Sequence, residues 1–189
     1  MIGYPNRKVM PTPAVKAQDN HMGRGMSLEN DLNDSNAYYC SCDRALIHKK
    51  PTPIQVVKVD YPERSAAKIT EAYYKTPSTT DYNGIYRGRA IDFEAKETRQ
   101  KTSFPFKSIH PHQIEHLKKV IQHGGIGFFI IRFTCFEETY LIDAAILIDM
   151  YYEGERKSIS YMKVKEVGSL IRMGLTPRLC YLDNVDALN

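Results

Sequence analysis

The sequence predicts an α/β domain with a central mixed sheet flanked by helices, and three stretches carry that prediction. Residues 111–123, "PHQIEHLKKVIQH", set Ile114, Leu117 and Ile121 on one helical stripe, begin with proline at the first helical position and stop at Gly124-Gly125. Residues 126–134, "IGFFIIRFT", are a continuous apolar run of strand length, as expected of a strand buried on both faces. Residues 81–99, "DYNGIYRGRAIDFEAKETR", alternate as a hairpin does, with Ile91, Phe93 and Ala95 on one face and Asp92, Glu94 and Lys96 on the other.

The remaining elements follow in chain order. Residues 1–24 carry three prolines and scattered basic residues without apolar periodicity, and read as a flexible N-terminal arm. The main domain is expected over 25–189. Ser27 is a helix N-cap with acidic residues in the first turn, and Leu28 and Leu32 stand four apart. "RALIHKK" and "IQVVKVDY" read as one interrupted or bent strand broken by "PTP". Residues 62–80 are Ala-rich and end at Pro77, which predicts a short helical or irregular excursion that brings Arg64, Lys68 and Lys75 to an exposed surface. "RQKTSFPFKSIH" reads as a loop, "TYLIDAAILIDMYY" as a strand turning helical from about Ala144, and "KVKEVGSLIRM" as a closing helix. No internal repeat is present.

The chain of 189 residues, 42% hydrophobic and 25% charged, is long enough for one domain with a real core. No apolar run reaches the roughly 20 residues of a membrane span, and no secretory leader pattern is visible, so a cytoplasmic protein is expected. Cys40, Cys42, Cys135 and Cys180 lack zinc-finger spacing and read as reduced thiols. A net charge of +4 is compatible with a nucleic-acid partner without requiring one.

The hairpin is where chemistry concentrates. With Arg87-Gly88 as a two-residue turn, Tyr86 faces Arg89 and Asp81 falls opposite Glu94. An Asn83-Gly84 turn is the competing register and would separate that pair. Two opposed carboxylates about 5 Å apart repel by roughly 3 kcal/mol at an effective dielectric near 20, so the arrangement asks for a counter-ion. A hard divalent cation such as Mg²⁺ meets that need with few protein ligands. Lys96 could then orient a water and offset charge on phosphoryl oxygens, with Thr79 placed beside Asp81 by strand alternation. The plain alternative is a solvated face of alternating charges.

Asp81 followed by "IDFEAK" resembles the PD-(D/E)-x-K signature of restriction-endonuclease-like nucleases. The stretches "RGMSLENDLN", "IHKKPTPIQVVKVDYPERSAAKITEAYYKTPSTTDYNGIYRGRAIDFEAKET", "KTSFPFKSIHPHQIEH" and "GLTPRLCYL" closely resemble the RecU family of Holliday-junction resolvases from Arg24 onward. That resemblance implies a restriction-endonuclease-like core with a protruding stalk insertion over about 58–75, and a homodimeric Mg²⁺-dependent endonuclease, with Mn²⁺ as a substitute metal, that cuts four-way DNA junctions symmetrically in recombination and repair. It implies a metal site of Thr79, Asp81, Glu94 and Gln113, with Lys96 stabilising the transition state. Asp92 would complete the acidic cluster and Glu29 would be a supporting carboxylate. Lys49 and Arg64 would touch DNA at the stalk. Recombination proteins, such as a strand-exchange recombinase or a branch-migration helicase, would be partners. The rival readings are another structure-specific endonuclease and a non-catalytic junction-binding module.

Other candidates weigh less. His112 and His116 stand four apart on a helix, yet no third zinc ligand is spaced to join them, and phosphate-facing histidines are the simpler reading. Arg87, Arg89, Arg99, Lys101 and Lys107 crowd the hairpin and the following loop; taken alone they read as a solvated rim, and beside an acidic metal site as DNA-binding phosphate contacts. The Tyr38-Tyr39, Tyr73-Tyr74 and Tyr151-Tyr152 pairs are read as packing, with base stacking as the alternative.

Overall fold

The structure, a computed structural model, describes residues 27–62, 66–75, 77–154 and 156–188. Helix α1 (Leu28–Ser41) starts where the Ser27 hydroxyl accepts the Asn30 amide at 3.3 Å. Strand β1 (Leu46–Lys49) follows, then a ribbon of β2 (Ile54–Asp60) and β3 (Lys68–Tyr74), then the hairpin of β4 (Tyr82–Tyr86) and β5 (Arg89–Thr98). A short strand β6 (Ser103–Pro105) and a 3-10 turn at Phe106–Ser108 lead to α2 (Pro111–Gln122). Next come β7 (Ile126–Phe133), β8 (Glu138–Asp143), α3 (Ala144–Glu153), β9 (Ser158–Ser160), α4 (Tyr161–Val167), β10 (Ser169–Leu170) and α5 (Tyr181–Asp186).

The main sheet has the order β1-β4-β5-β7-β8-β10, with β5 and β7 parallel and the other neighbours antiparallel. A parallel pair needs a long crossover, and α2 supplies it between β5 and β7. This is the expected mixed sheet, and it is consistent with the restriction-endonuclease-like core.

Both faces of the central strands are covered, so two cores form. On one side Phe93 lies stacked between Tyr82 and Phe128, at ring-centroid distances of 4.8 and 4.7 Å, with Leu28 and Leu32 of α1 and Tyr181 and Leu182 of α5 in the same cluster. On the other side Phe129, Ile131 and Phe133 meet Ile114 and Leu117 of α2 and Leu147 of α3. Each such side chain contributes roughly 1.5 to 3 kcal/mol on burial. A buried charge cluster ties α1 down: Asp31 lies 2.7 Å from Arg132 and 3.4 Å from Arg178, and the Leu28 amide donates to Glu97 at 2.6 Å. The four cysteines are free thiols, as expected. Among the described residues no helix is long and apolar enough to cross a membrane.

Several local expectations are corrected. The excursion over 62–80 contains a strand, because Ile69, Thr70, Tyr73 and Tyr74 favour extended backbone and β2 offers a pairing partner; Ala66-Ala67 was a misleading helix signal. Accordingly "IQVVKVDY" is not a bent continuation of β1 but half of a separate two-stranded sheet whose side chains are almost all exposed. The closing helix ends at Val167, with Gly168 as its C-cap, and "SLIRM" gives an edge strand instead. The loop after β5 includes β6, which pairs with β9. Tyr39 is buried and donates to Leu179 O at 2.9 Å, but Tyr73 and Tyr74 stand exposed on the ribbon, contrary to the packing reading. The arm over 1–24 and Arg64 lie outside the described residues.

Gly84 lets β1 approach β4: a Cβ there would stand 2.0 Å from Leu46 O and 2.7 Å from Ile47 Cα. Gly84→Ala should therefore lower the unfolding free energy by about 3 kcal/mol. Urea denaturation checks this, and an unchanged midpoint would show that β1 is not held so closely.

Candidate active site

The turn at Arg87 and Gly88 has φ of 49° and 75°, the left-handed geometry that a tight two-residue hairpin needs at both central positions. Its register runs Tyr86 opposite Arg89 through Tyr82 opposite Phe93, with Asn83 and Gly84 in mid-strand. One step further, the Asp81 amide donates to Glu94 Oε2 at 3.1 Å. The Arg87-Gly88 register thus holds and the Asn83-Gly84 alternative does not.

Period-two alternation turns Asp92, Glu94 and Lys96 toward the α2 side, where the neighbouring β7 residues Phe129 and Ile131 also point. Glu94 is fully buried there. Burial, reinforced by Asp81 and opposed by Lys96, pushes its carboxyl up to about 7. Lys96 Nζ lies 2.7 Å from Glu94 Oε1, an ion contact that falls short of a directed hydrogen bond. Gln113, third residue of α2, is also buried, and its Oε1 accepts the His110 amide at 2.9 Å. A cleft of about 280 Å³ opens along Glu29, Lys49, Asp81, Lys96 and Glu97. At its mouth Lys49 Nζ sits 2.5 Å from Glu29 Oε1.

The other sequence-expected residues are placed differently. Thr79 is half-buried and its hydroxyl donates to Thr80 O at 3.4 Å; the chain before Tyr82 is not in β4, so strand alternation does not set Thr79 beside Asp81. The neighbouring Thr80 is buried and donates to Asp92 Oδ1. Asp92 does share the face of Glu94, but its Oδ2 is already met by Lys50 Nζ and His116 Nε2, each at 3.0 Å. Arg87 pairs with Asp186 at 2.9 Å and Arg89 donates to Gly124 O at 3.1 Å. Both stand at the turn end of the hairpin, roughly 17 Å from Glu94 at a strand's rise per residue.

Lys50, Thr80 and His116 were missed as a group. His116 was legible, since Gln113 and His116 are three apart and share a face of α2. Lys50 follows β1 and gave no periodic signal. His112 has a buried Nε2 with no hydrogen-bond partner. Burial first, then His110, Lys96 and His116, hold its pKa below the usual histidine value.

Among the described residues no three His, Cys, Asp or Glu side chains form a ready-made metal cage. A buried Glu94 beside Asp81, with one oxygen lacking a directed hydrogen bond, instead fits a hard cation that takes few protein oxygens and keeps water.

The model of a family described as "RecU: Recombination protein U" matches residues 23–187. The chain belongs to the RecU family. Proteins named Holliday junction resolvase RecU align with almost all of it. That of Shouchella clausii is 55% identical over 180 residues, 94% of this chain and 84% of the relative. That of Bacillus mycoides is 51% identical over 195 residues, 99% of this chain and 98% of the relative. That of Bacillus cytotoxicus is 51% identical over 193 residues, 98% and 96% of the two chains. The described carboxylates, Lys96 and Gln113 all fall inside the segment matched to RecU.

A carboxyl raised from 4.5 to about 7 takes up a proton on folding. Its favourable effect is complete below the unfolded value and is lost as pH rises through the folded one, a cost of about 3 kcal/mol above neutrality. In chelator-treated protein the melting temperature should fall by roughly 5 to 10 °C between pH 5 and pH 8. Glu94→Gln should flatten that slope, and Ca²⁺ should restore the lost stability at pH 8. Scanning fluorimetry at several pH values checks this; equal slopes for both proteins would contradict it.

Proposed function

We propose that this chain is a divalent-metal-dependent endonuclease that resolves four-way DNA junctions by hydrolysing phosphodiesters at symmetric positions during recombination and repair. The observation that carries the reading is Asp81 set against the buried Glu94, with the Lys96 ammonium beside it, in a chain about half identical to named resolvases.

Asp81 and Glu94 would hold Mg²⁺, or Mn²⁺ in its place, with Gln113 and Thr79 completing the oxygen set and Glu29 in support at the cleft mouth. When bound, the metal supplies a water of lowered pKa and Lewis-acid stabilisation of the phosphoryl oxygens. Lys96 places its ammonium where negative charge builds on those oxygens. Lys49, at the mouth, binds the phosphate next to the cut, and Arg64 is a further DNA contact. Lys101 and Lys107 follow a duplex arm, as do Arg87 and Arg89 further away. The β2–β3 ribbon is the stalk that enters the junction. A junction has approximate two-fold symmetry, so a homodimer with two such sites cuts strands of like polarity. The enzyme would act in the cytoplasm beside the strand-exchange recombinase or a branch-migration helicase.

Asp81→Asn, Glu94→Gln and Lys96→Ala should each slow Mg²⁺-dependent junction cleavage by about 100-fold or more while leaving junction binding in Ca²⁺ intact. Gel assays on synthetic junctions and matched linear duplexes test both parts. Cleavage surviving in folded variants would remove these residues from the chemistry. Equal wild-type rates on both DNAs would remove the resolvase assignment.

A further inference from the structure

We propose that Asp92 holds no metal and is instead the centre of a positioning bridge, made with Lys50, Thr80 and His116, that sets the spacing of the metal-site residues. This rests on the metal site proposed above. Asp92 is only 7% exposed, and three groups meet its two oxygens: the Thr80 hydroxyl at Oδ1, and Lys50 Nζ and His116 Nε2, each 3.0 Å from Oδ2. The Lys50 contact is a directed hydrogen bond, whereas the His116 contact is close but out of line. Lys50 Nζ also donates to Thr80 Oγ1 at 3.0 Å, and the Lys50 amide donates to Asp81 O at 2.7 Å.

Each bridge member is a close sequence neighbour of a site member. Thr80 precedes Asp81, Lys50 follows Lys49, Asp92 lies two before Glu94 on the same face, and His116 lies three after Gln113 on the same helix side. Four segments are thereby pinned to one carboxylate. Both Asp92 oxygens already accept directed hydrogen bonds, from Thr80 and from Lys50, whereas Glu94 Oε1 accepts none, so a cation finds an open oxygen at Glu94 and would have to displace donors at Asp92. Asp92 therefore acts through its neighbours.

The test uses the full-length chain. Asp92→Asn keeps the shape and an acceptor for Thr80 but removes the charge that holds Lys50 and His116. Titration calorimetry with Ca²⁺ alone should show affinity within about fivefold of wild type for D92N, against loss of binding in D81N and E94Q. Single-turnover junction cleavage at saturating Mg²⁺ should fall 10- to 100-fold in D92N and in Lys50→Met, with junction affinity in Ca²⁺ unchanged. The double variant should be no slower than either single one, and Lys50→Arg should recover most of the rate. Loss of Ca²⁺ binding in D92N would make Asp92 a ligand. A lowered melting temperature with an unchanged cleavage rate would make it merely structural, and multiplicative losses in the double variant would break the bridge. A wild-type chain inert toward junctions would count against the proposed function, while the calorimetry and a thermal-stability cycle on Lys50 and Asp92 would still decide the bridge.

Discussion

The pairing register of β4 with β5 is the constraint on which the rest of the molecule depends. Side chains alternate with period two, so a slip of one residue would send Glu94 and Lys96 into the aromatic core and bring Phe93 to the polar side. Two devices prevent that slip. Arg87 and Gly88 adopt the left-handed turn that closes a two-residue hairpin, and Phe93 is clamped between Tyr82 and Phe128. The turn sets the count and the aromatic stack opposes any shift. Glu94 is thus carried into an environment that disfavours its charge by packing on the opposite face of its own strand.

That cost explains why the polar groups around the site are arranged in pairs and not left as isolated charges. Lys96 meets Glu94 and Lys50 meets Asp92, while the pair of Lys49 and Glu29 at the cleft mouth is exposed and under no such constraint. A second buried set, Asp31 with Arg132 and Arg178, fixes the start of α1 and hence the position of Glu29 at the cleft. Removing one member of such a buried pair leaves the other uncompensated, which costs more than the pair contributes when whole. The site is held by these constraints on neighbouring segments as much as by its own contacts.

Much of this was legible in the sequence, and the parts that were not share a physical cause. The strands 126–133 and 138–143, the helix from Pro111 and the hairpin register were written in local patterns: apolar runs, a proline start and a tight turn. The ribbon strand at Lys68–Tyr74 was hidden because its partner lies across a bend, and nothing in an exposed strand alternates between core and solvent. The β6–β9 pair joins segments more than fifty residues apart, which no local window reveals. At the site, Asp81, Glu94 and Lys96 followed from alternation. Lys50 and Thr80 lie just outside regular strands, where periodicity has no hold, and only the fold brings them to Asp92.

The β2–β3 ribbon leaves the sheet between two strands that are already neighbours, and its base is closed by the Lys50 amide on Asp81 O and the Lys75 amide on Pro53 O, at 2.7 and 3.0 Å. An insertion anchored this way is a graft at a sealed stem. Residues added or removed in matched pairs on its two arms alter how far it reaches and leave the stem, and every side chain downstream of it, in phase. Reach and chemistry can therefore diverge independently between related chains, one by lengthening the arms and the other by substitution in the sheet.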